Sequence, residues 1–193
     1  EEMTANDPSL KNLIREYHDG LLLYEISNRT VWNRAAKDDK ALEAYFKKNR
    51  KKYRWDEPRF KGIAYYVKDA ADVENVKNAI KNIPFEAWAD TLRKEFNDST
   101  VRIKVVKGIF KKGDNSLVDN KIFQTGAEVK PVQDYPITAV YGEKLKAPKT
   151  YKDVRELVVA DYQEELEKKW VADLRKKYSV SVDKAVLETV NKH

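Results

Sequence analysis

KGIFKKGDNSLVDNKIFQTGAEVKPV, from Lys107 to Val132, holds three glycines at loop-like positions and two short apolar clusters. Its spacing favours neither a good helix nor a long strand. Compact domains rarely carry so long an irregular segment without a reason. What this stretch holds decides how the rest of the chain is read.

Working outward, "VRIKVVKGIF" before it alternates in polarity and predicts a strand. "AEVKPV" at its end and "YPITAVYGEKL" beyond predict two more, joined by "QD". Upstream, "RFKGIAYYVKD" is aromatic and β-branched and predicts the first strand of this unit. Between that strand and Val101 lie two helices. Asp69 or Asp72 caps the first, which presents Val73, Val76 and Ile80. Ile83-Pro84 opens the second, whose apolar face is Phe85, Trp88, Ala89, Leu92 and Phe96. "NDST", Asn97 to Thr100, closes it with turn residues. The expected unit, residues 58–147, is α+β with a four-stranded antiparallel sheet.

Helical segments flank it. Leu10, Leu13, Ile14, Tyr17, Leu21, Leu22 and Tyr24 mark an amphipathic helix expected to end near Ser27-Asn28, with Thr30 capping a short turn through Val31 and Trp32. Asp38-Asp39 precede a second helix with an acidic start and a basic end. Thr150 and Asp153 form a capping box. The helix after it carries Val154, Val158, Tyr162, Leu166, Trp170, Leu174 and Tyr178 at four-residue spacing, expected to be core. "SVSV" is a short strand or extended arm, and Asp183 caps a last turn with Val186, Leu187 and Val190. The expected division is 1–57 helical, 58–147 the α+β unit inserted into it, and 148–193 a long helix and tail packing with the first segment. Tyr17, Tyr24, Trp32, Tyr45, Phe46 and Trp170 are candidates to line a client cradle or to pack with one another.

Composition narrows the chemistry. The 193 residues include 38 Lys and Arg against 32 Asp and Glu, a net charge of +6. A solvated surface accounts for that balance, so no nucleic-acid partner is expected; a basic nucleic-acid binder is the remote reading. No apolar run approaches the length of a membrane span. There is no Cys, which removes thiol nucleophiles, disulfides and thiolate metal sites. His18 and His193 are too far apart in sequence to read as a metal pair. Phosphate-binding glycine loops and a nucleophile elbow are absent, and no carboxylate pair stands out.

Three local motifs, in matching order over about 90 residues, carry a resemblance. "IPFEAWADTLRKEFNDS" resembles the helix and following turn of parvulin-type peptidyl-prolyl cis-trans isomerases. "GIFKKG" resembles that family's "GWF-x-x-G" turn, and "IFQTGAEVKPV" its "F-x-L-x-x-G-x-x-S-x-P-V" segment. The flanks, with "GLLLYEISNRTVWNRAA" and "LETVNKH", resemble the SurA/PrsA class of extracytoplasmic foldases in its Bacteroides-type version. The resemblance implies a periplasmic or otherwise extracytoplasmic folding factor, of which this chain is the C-terminal part. It implies unfolded or proline-containing polypeptide as the partner, isomerase activity and no cofactor; the oligomeric state is left open.

Carried over by position, Phe110, Leu117, Val118 and Phe123 are the implied proline-groove residues, with a small core beneath the loop as their alternative. Asp98 falls where the family places an acid or thiol facing the groove, and is the implied catalytic residue. Its alternative is plain turn chemistry. The family's two histidines have no counterpart: none lies around Lys61-Gly62-Ile63, and Ala139 takes the second position. Their absence opens a second reading, a non-catalytic peptide-binding chaperone on a degenerate parvulin fold.

Overall fold

The computed structural model describes residues 7–190; His193, and with it the end of the LETVNKH phrase, lies outside them. The chain divides into two compact units. One is Lys51–Lys149; the other combines the residues up to Arg50 with those from Thr150 on. Residues 51–57, expected with the helices, thus belong with the sheet.

The inner unit is built on three antiparallel strands, β1 Arg59–Val67, β2 Ile103–Phe110 and β3 Ile137–Leu145, in the order β2-β1-β3. The register pairs Phe60 with Phe110 and Val67 with Ile103 on one side of β1, and Arg59 with Leu145 and Val67 with Ile137 on the other. The two-residue period of a strand sorts the side chains onto two faces. Ile63, Tyr65, Val67 and Ile103 face two helices, α1 Ala71–Ile80 and α2 Trp88–Phe96, which bury Val76, Ile80, Leu92 and Phe96 against them. Phe60, Ala64 and Phe110 face the opening stretch. Being central and covered on both faces, β1 is apolar on both, as its sequence is.

Side chains fix the connections. Asp69 Oδ1 accepts from the Ala71 N–H at 2.9 Å and starts α1. Asp72 instead is buried, and its carboxylate accepts from Arg102 Nη2 at 2.5 Å, tying α1 to the approach of β2. Asn97 accepts from the N–H groups of Arg102 and Ile103 and donates to the Ile103 carbonyl, closing the α2–β2 turn.

The expected fourth strand does not form. Residues 124–131 have no ladder partner, and a single bridge links Val132 to Tyr135. Gln124 and Gly126 take positive φ of 54° and 76° and redirect the chain. Pro131 has no N–H to donate. Val129 packs beneath the loop instead of joining the sheet.

In the outer unit, α3 Pro8–Ser27 is capped by Asp7, which accepts from Ser9 and Leu10. It does not stop at Ser27-Asn28. Asn28 is helical (φ −60°, ψ −46°), and the chain continues through a π turn, Asn28–Trp32, into α4 Asn33–Lys37. Thr30 lies inside that turn and caps nothing. Asp38 ends the rod and caps α5 Asp39–Lys48 through the Ala41 N–H.

The capping box of Thr150 and Asp153 forms around a 3-10 turn, Tyr151–Val154, and leads into α6 Arg155–Lys177. Of α6's own side chains only Val158 is buried. The four-residue stripe could not be one face. Four residues advance about 400° on a helix of 3.6 per turn, so the stripe winds about 40° at each step. Its early part packs inward: Tyr162 lies 5.4 Å from Tyr45, whose hydroxyl donates to the Asp161 carbonyl, and Arg155 donates to the Ala36 carbonyl at 2.6 Å. Tyr178 at its end is exposed. SVSV is an unpaired arm, and Asp183 caps α7 Lys184–Val190. Among the described residues no helix is long and apolar enough to cross a membrane.

Candidate functional site

The opening stretch is stapled by its own polar side chains. Asn115 accepts from the N–H groups of Leu117 and Val118 and starts a short helix, α8 Ser116–Val118, that runs into a π turn, Asp119–Phe123. Gln124 ends it in the left-handed region. Asp119 is buried and accepts the Gly113 N–H on both carboxylate oxygens at 3.1 Å. These bonds pin Leu117 and Val118 beneath the loop, where both are fully buried against Phe60, Ala64 and Phe110. The Phe60 and Phe110 rings stack at 6.4 Å. Phe123 is half-buried at the edge, with Lys144 Nζ 5.4 Å above its ring.

The structure therefore brings Phe110, Leu117, Val118 and Phe123 together as a small core. Leu117 and Val118 are fully buried and Phe110 nearly so, while Phe123 keeps part of its ring exposed. Asp98 is not with them. It is exposed on the turn that precedes β2, whereas Phe110 is the last residue of that strand. Seven steps from Ile103 to Phe110 span about 23 Å. The sheet unit has no histidine, and Ala139 pairs with Tyr65 in the ladder, under the helices.

An open site lies on the opposite face of the sheet. A cleft of about 400 Å³ is lined by Lys61, Lys81, Phe85, Trp88, Tyr141, Gly142 and Glu143. Pro84 sets up a 3-10 turn, Phe85–Ala87, ahead of α2 and turns Phe85 and Trp88 toward the end of the sheet. Their rings meet edge to face at 5.1 Å, and Trp88 lies 5.5 Å from Tyr141. Trp88 Nε1 donates to the Ile83 carbonyl, fixing the indole. Two ammonium groups flank Phe85, Lys61 Nζ at 4.8 Å and Lys107 Nζ at 4.7 Å. Lys107 also donates to the carbonyls of Phe85 and Glu86, so it braces the turn. Glu143 at the rim pairs with Lys149.

Sequence reasoning placed Phe85 and Trp88 on a core face and left Tyr141 unremarked. The available signal was Pro84 with Phe85 directly after it and Trp88 one turn further on, where α2 begins. In the outer unit, the candidate cradle residues divide between packed and exposed positions. Phe46 is buried, Tyr45 meets Tyr162, and Tyr24 meets Trp32 at 5.6 Å. Trp170 lines a second cleft of about 380 Å³ with Thr30, Arg34 and Tyr162. Tyr17 is 71% exposed.

Among the described residues no group of three or more His, Asp and Glu is placed to hold a metal ion. Comparison with protein-family models, curated proteins and solved structures found no match for this chain.

Proposed function

We propose that this chain is part of an extracytoplasmic folding factor that binds unfolded, proline-containing polypeptide and holds it without isomerising it. One observation carries the reading: the three-ring cleft of Phe85, Trp88 and Tyr141 is open, while Phe110, Leu117 and Val118 are packed shut. Rotating an X–Pro bond means crossing a barrier of ~18–20 kcal/mol set by amide resonance. An isomerase must bind the twisted amide better than the planar one. That needs a groove around the ring and a polar network at the amide; the filled loop core, the distant Asp98 and the missing imidazoles supply neither.

Aromatic faces suit proline for a different task. Proline-rich segments are extended and lose little entropy on docking into aromatic-lined grooves. Ring contacts of this kind, with no polar clamp, hold a single proline only weakly. Weak, additive grip suits a factor that must let its client go.

The test is NMR with an Xaa-Pro peptide. The Trp88 indole signal is expected to shift on titration while the peptide's cis/trans exchange rate stays at its free value. Accelerated exchange that Asp98→Ala abolishes would restore the isomerase reading. An unmoved Trp88 signal would remove the cleft as the binding site.

A further inference from the structure

The helix α3 has 20 residues and no buried side chain. At 1.5 Å per residue it is about 30 Å long. Leu10, Ile14, Tyr17, Leu21 and Tyr24 recur along it at intervals of four and three, the a/d seam of a two-stranded coiled coil. Ile14, Tyr17, Leu21 and Tyr24 are each half or more exposed. At its ends Leu10 is part-exposed and the Tyr24 ring meets Trp32 edge to face at 5.6 Å; between them Ile14, Tyr17 and Leu21 stay open to solvent.

The residues beside the seam distinguish the occupants. With Ile14 and Leu21 at a and Leu10, Tyr17 and Tyr24 at d, the e positions are Lys11, His18 and Glu25, and the g positions Leu13, Gly20 and Ser27. In a parallel pair, e faces g, and Lys11 and Glu25 find no opposite charge there. In an antiparallel pair, e faces e. Let the two-fold axis cross the helix near Asp19. Ile14 then meets Tyr24 of a second copy, and Leu21 meets Tyr17. Lys11 faces Glu25 of the other copy, and the symmetry makes that contact twice. Glu25 already accepts from Arg29 Nε through Oε1, and its second oxygen remains to take the lysine.

Gly20 is an independent observation. Glycine weakens a helix interior relative to alanine. A Cβ at Gly20 would meet nothing within 4 Å in its own chain, so intramolecular packing does not call for it. In the antiparallel register Gly20 faces Gly20 of the second copy, where the missing side chains let the helices close on each other.

We propose that α3 pairs with α3 of a second copy as an antiparallel coiled coil, making the protein a two-fold dimer. Sedimentation equilibrium on the full chain tests it, and Leu21→Asp, at an exposed position, is expected to give a monomer. Lys11→Glu and Glu25→Lys are each expected to weaken the dimer by about tenfold, since each replaces two attractions by two repulsions. The double variant restores the pairing and is expected to recover the affinity. Because the chain has no Cys, Lys11→Cys mixed with Glu25→Cys is expected to cross-link variant to variant. A monomer at all concentrations, a dimer indifferent to Leu21→Asp, or self-linking of Lys11→Cys would each overturn the proposal. So would a monomer whose α3 amides gain exchange protection only when an unfolded polypeptide is added, which would assign the seam to clients.

Discussion

Gly62 lies opposite Gly142 across the β1–β3 ladder, and neither position has room for a Cβ. On Gly62 it would overlap the Tyr141 carbonyl oxygen and reach the Phe60 ring at 2.7 Å. On Gly142, whose φ is 152°, it would overlap the Lys61 carbonyl. Gly108, across the other ladder from Gly62, is looser, with only the Phe110 ring edge at 3.3 Å. Gly62→Ala and Gly142→Ala are expected to cost about 1–3 kcal/mol or more, and Gly108→Ala clearly less. Urea denaturation gives the ranking, and equal losses at the three sites would contradict it.

Leu117→Ala separates a core from a groove. Removing a fully buried leucine costs about 2–5 kcal/mol. The expected outcome is a large drop in stability with unchanged affinity for an Xaa-Pro peptide below the unfolding transition. A fall in affinity with little loss of stability would reinstate the loop as a binding site.

Arg102→Ala would leave the buried Asp72 carboxylate with only a long 3.4 Å contact from Asn75. The arginine is half-exposed, so water moderates the loss to about 1–3 kcal/mol. Thermal unfolding measures it. A double-mutant cycle with Asp72→Asn should show coupling; strict additivity would mean that the pair contributes nothing.

Two tyrosines should resist alkali. Burial, then the Glu74 charge, pushes Tyr65 up to about 12; its hydroxyl donates to the Val73 carbonyl. Burial, a hydrogen bond to Asp39 and the Asp39 charge likewise raise Tyr151 to about 12, with Arg155 pulling the other way. A raised folded pKa means that the folded state holds the proton more tightly. The stability this adds is full below about pH 10, where an unfolded tyrosine titrates. It is lost as pH rises from about 10 to 12. Absorbance titration is expected to show two late phenols whose ionisation coincides with unfolding; ionisation of all tyrosines near pH 10 in the folded state would refute this.

Much of the fold was legible wherever a short-range signal had no rival. The apolar β1, the acidic start of the helix after Asp38-Asp39 and the Thr150–Asp153 box all lie within a few residues of the structure they specify. The unpaired AEVKPV segment was not legible, because β propensity says nothing about whether a partner strand is within reach. The loop motif was legible as a place where apolar side chains gather. Whether Leu117 and Val118 line a space or fill it depends on Phe60 and Ala64, some fifty residues upstream. The open cleft was missed for a related reason: Phe85 and Trp88 read as core by spacing, and only the tertiary position of Tyr141 reveals their free side.

The π turn at Asn28–Trp32 has a consequence for the rod it interrupts. The three-four rhythm of Ile14, Tyr17, Leu21 and Tyr24 continues in the sequence through Asn28 to Val31 and Ala35, which are buried. In an unbroken α-helix all of these would point the same way. A π turn takes an extra residue, and one residue is about 100° of arc. The turn acts as a phase shifter: one amphipathic pattern, written once, is delivered to two directions. Val31 and Ala35 are spent on the protein's own interior, and the first twenty residues of the rod keep their apolar edge facing out.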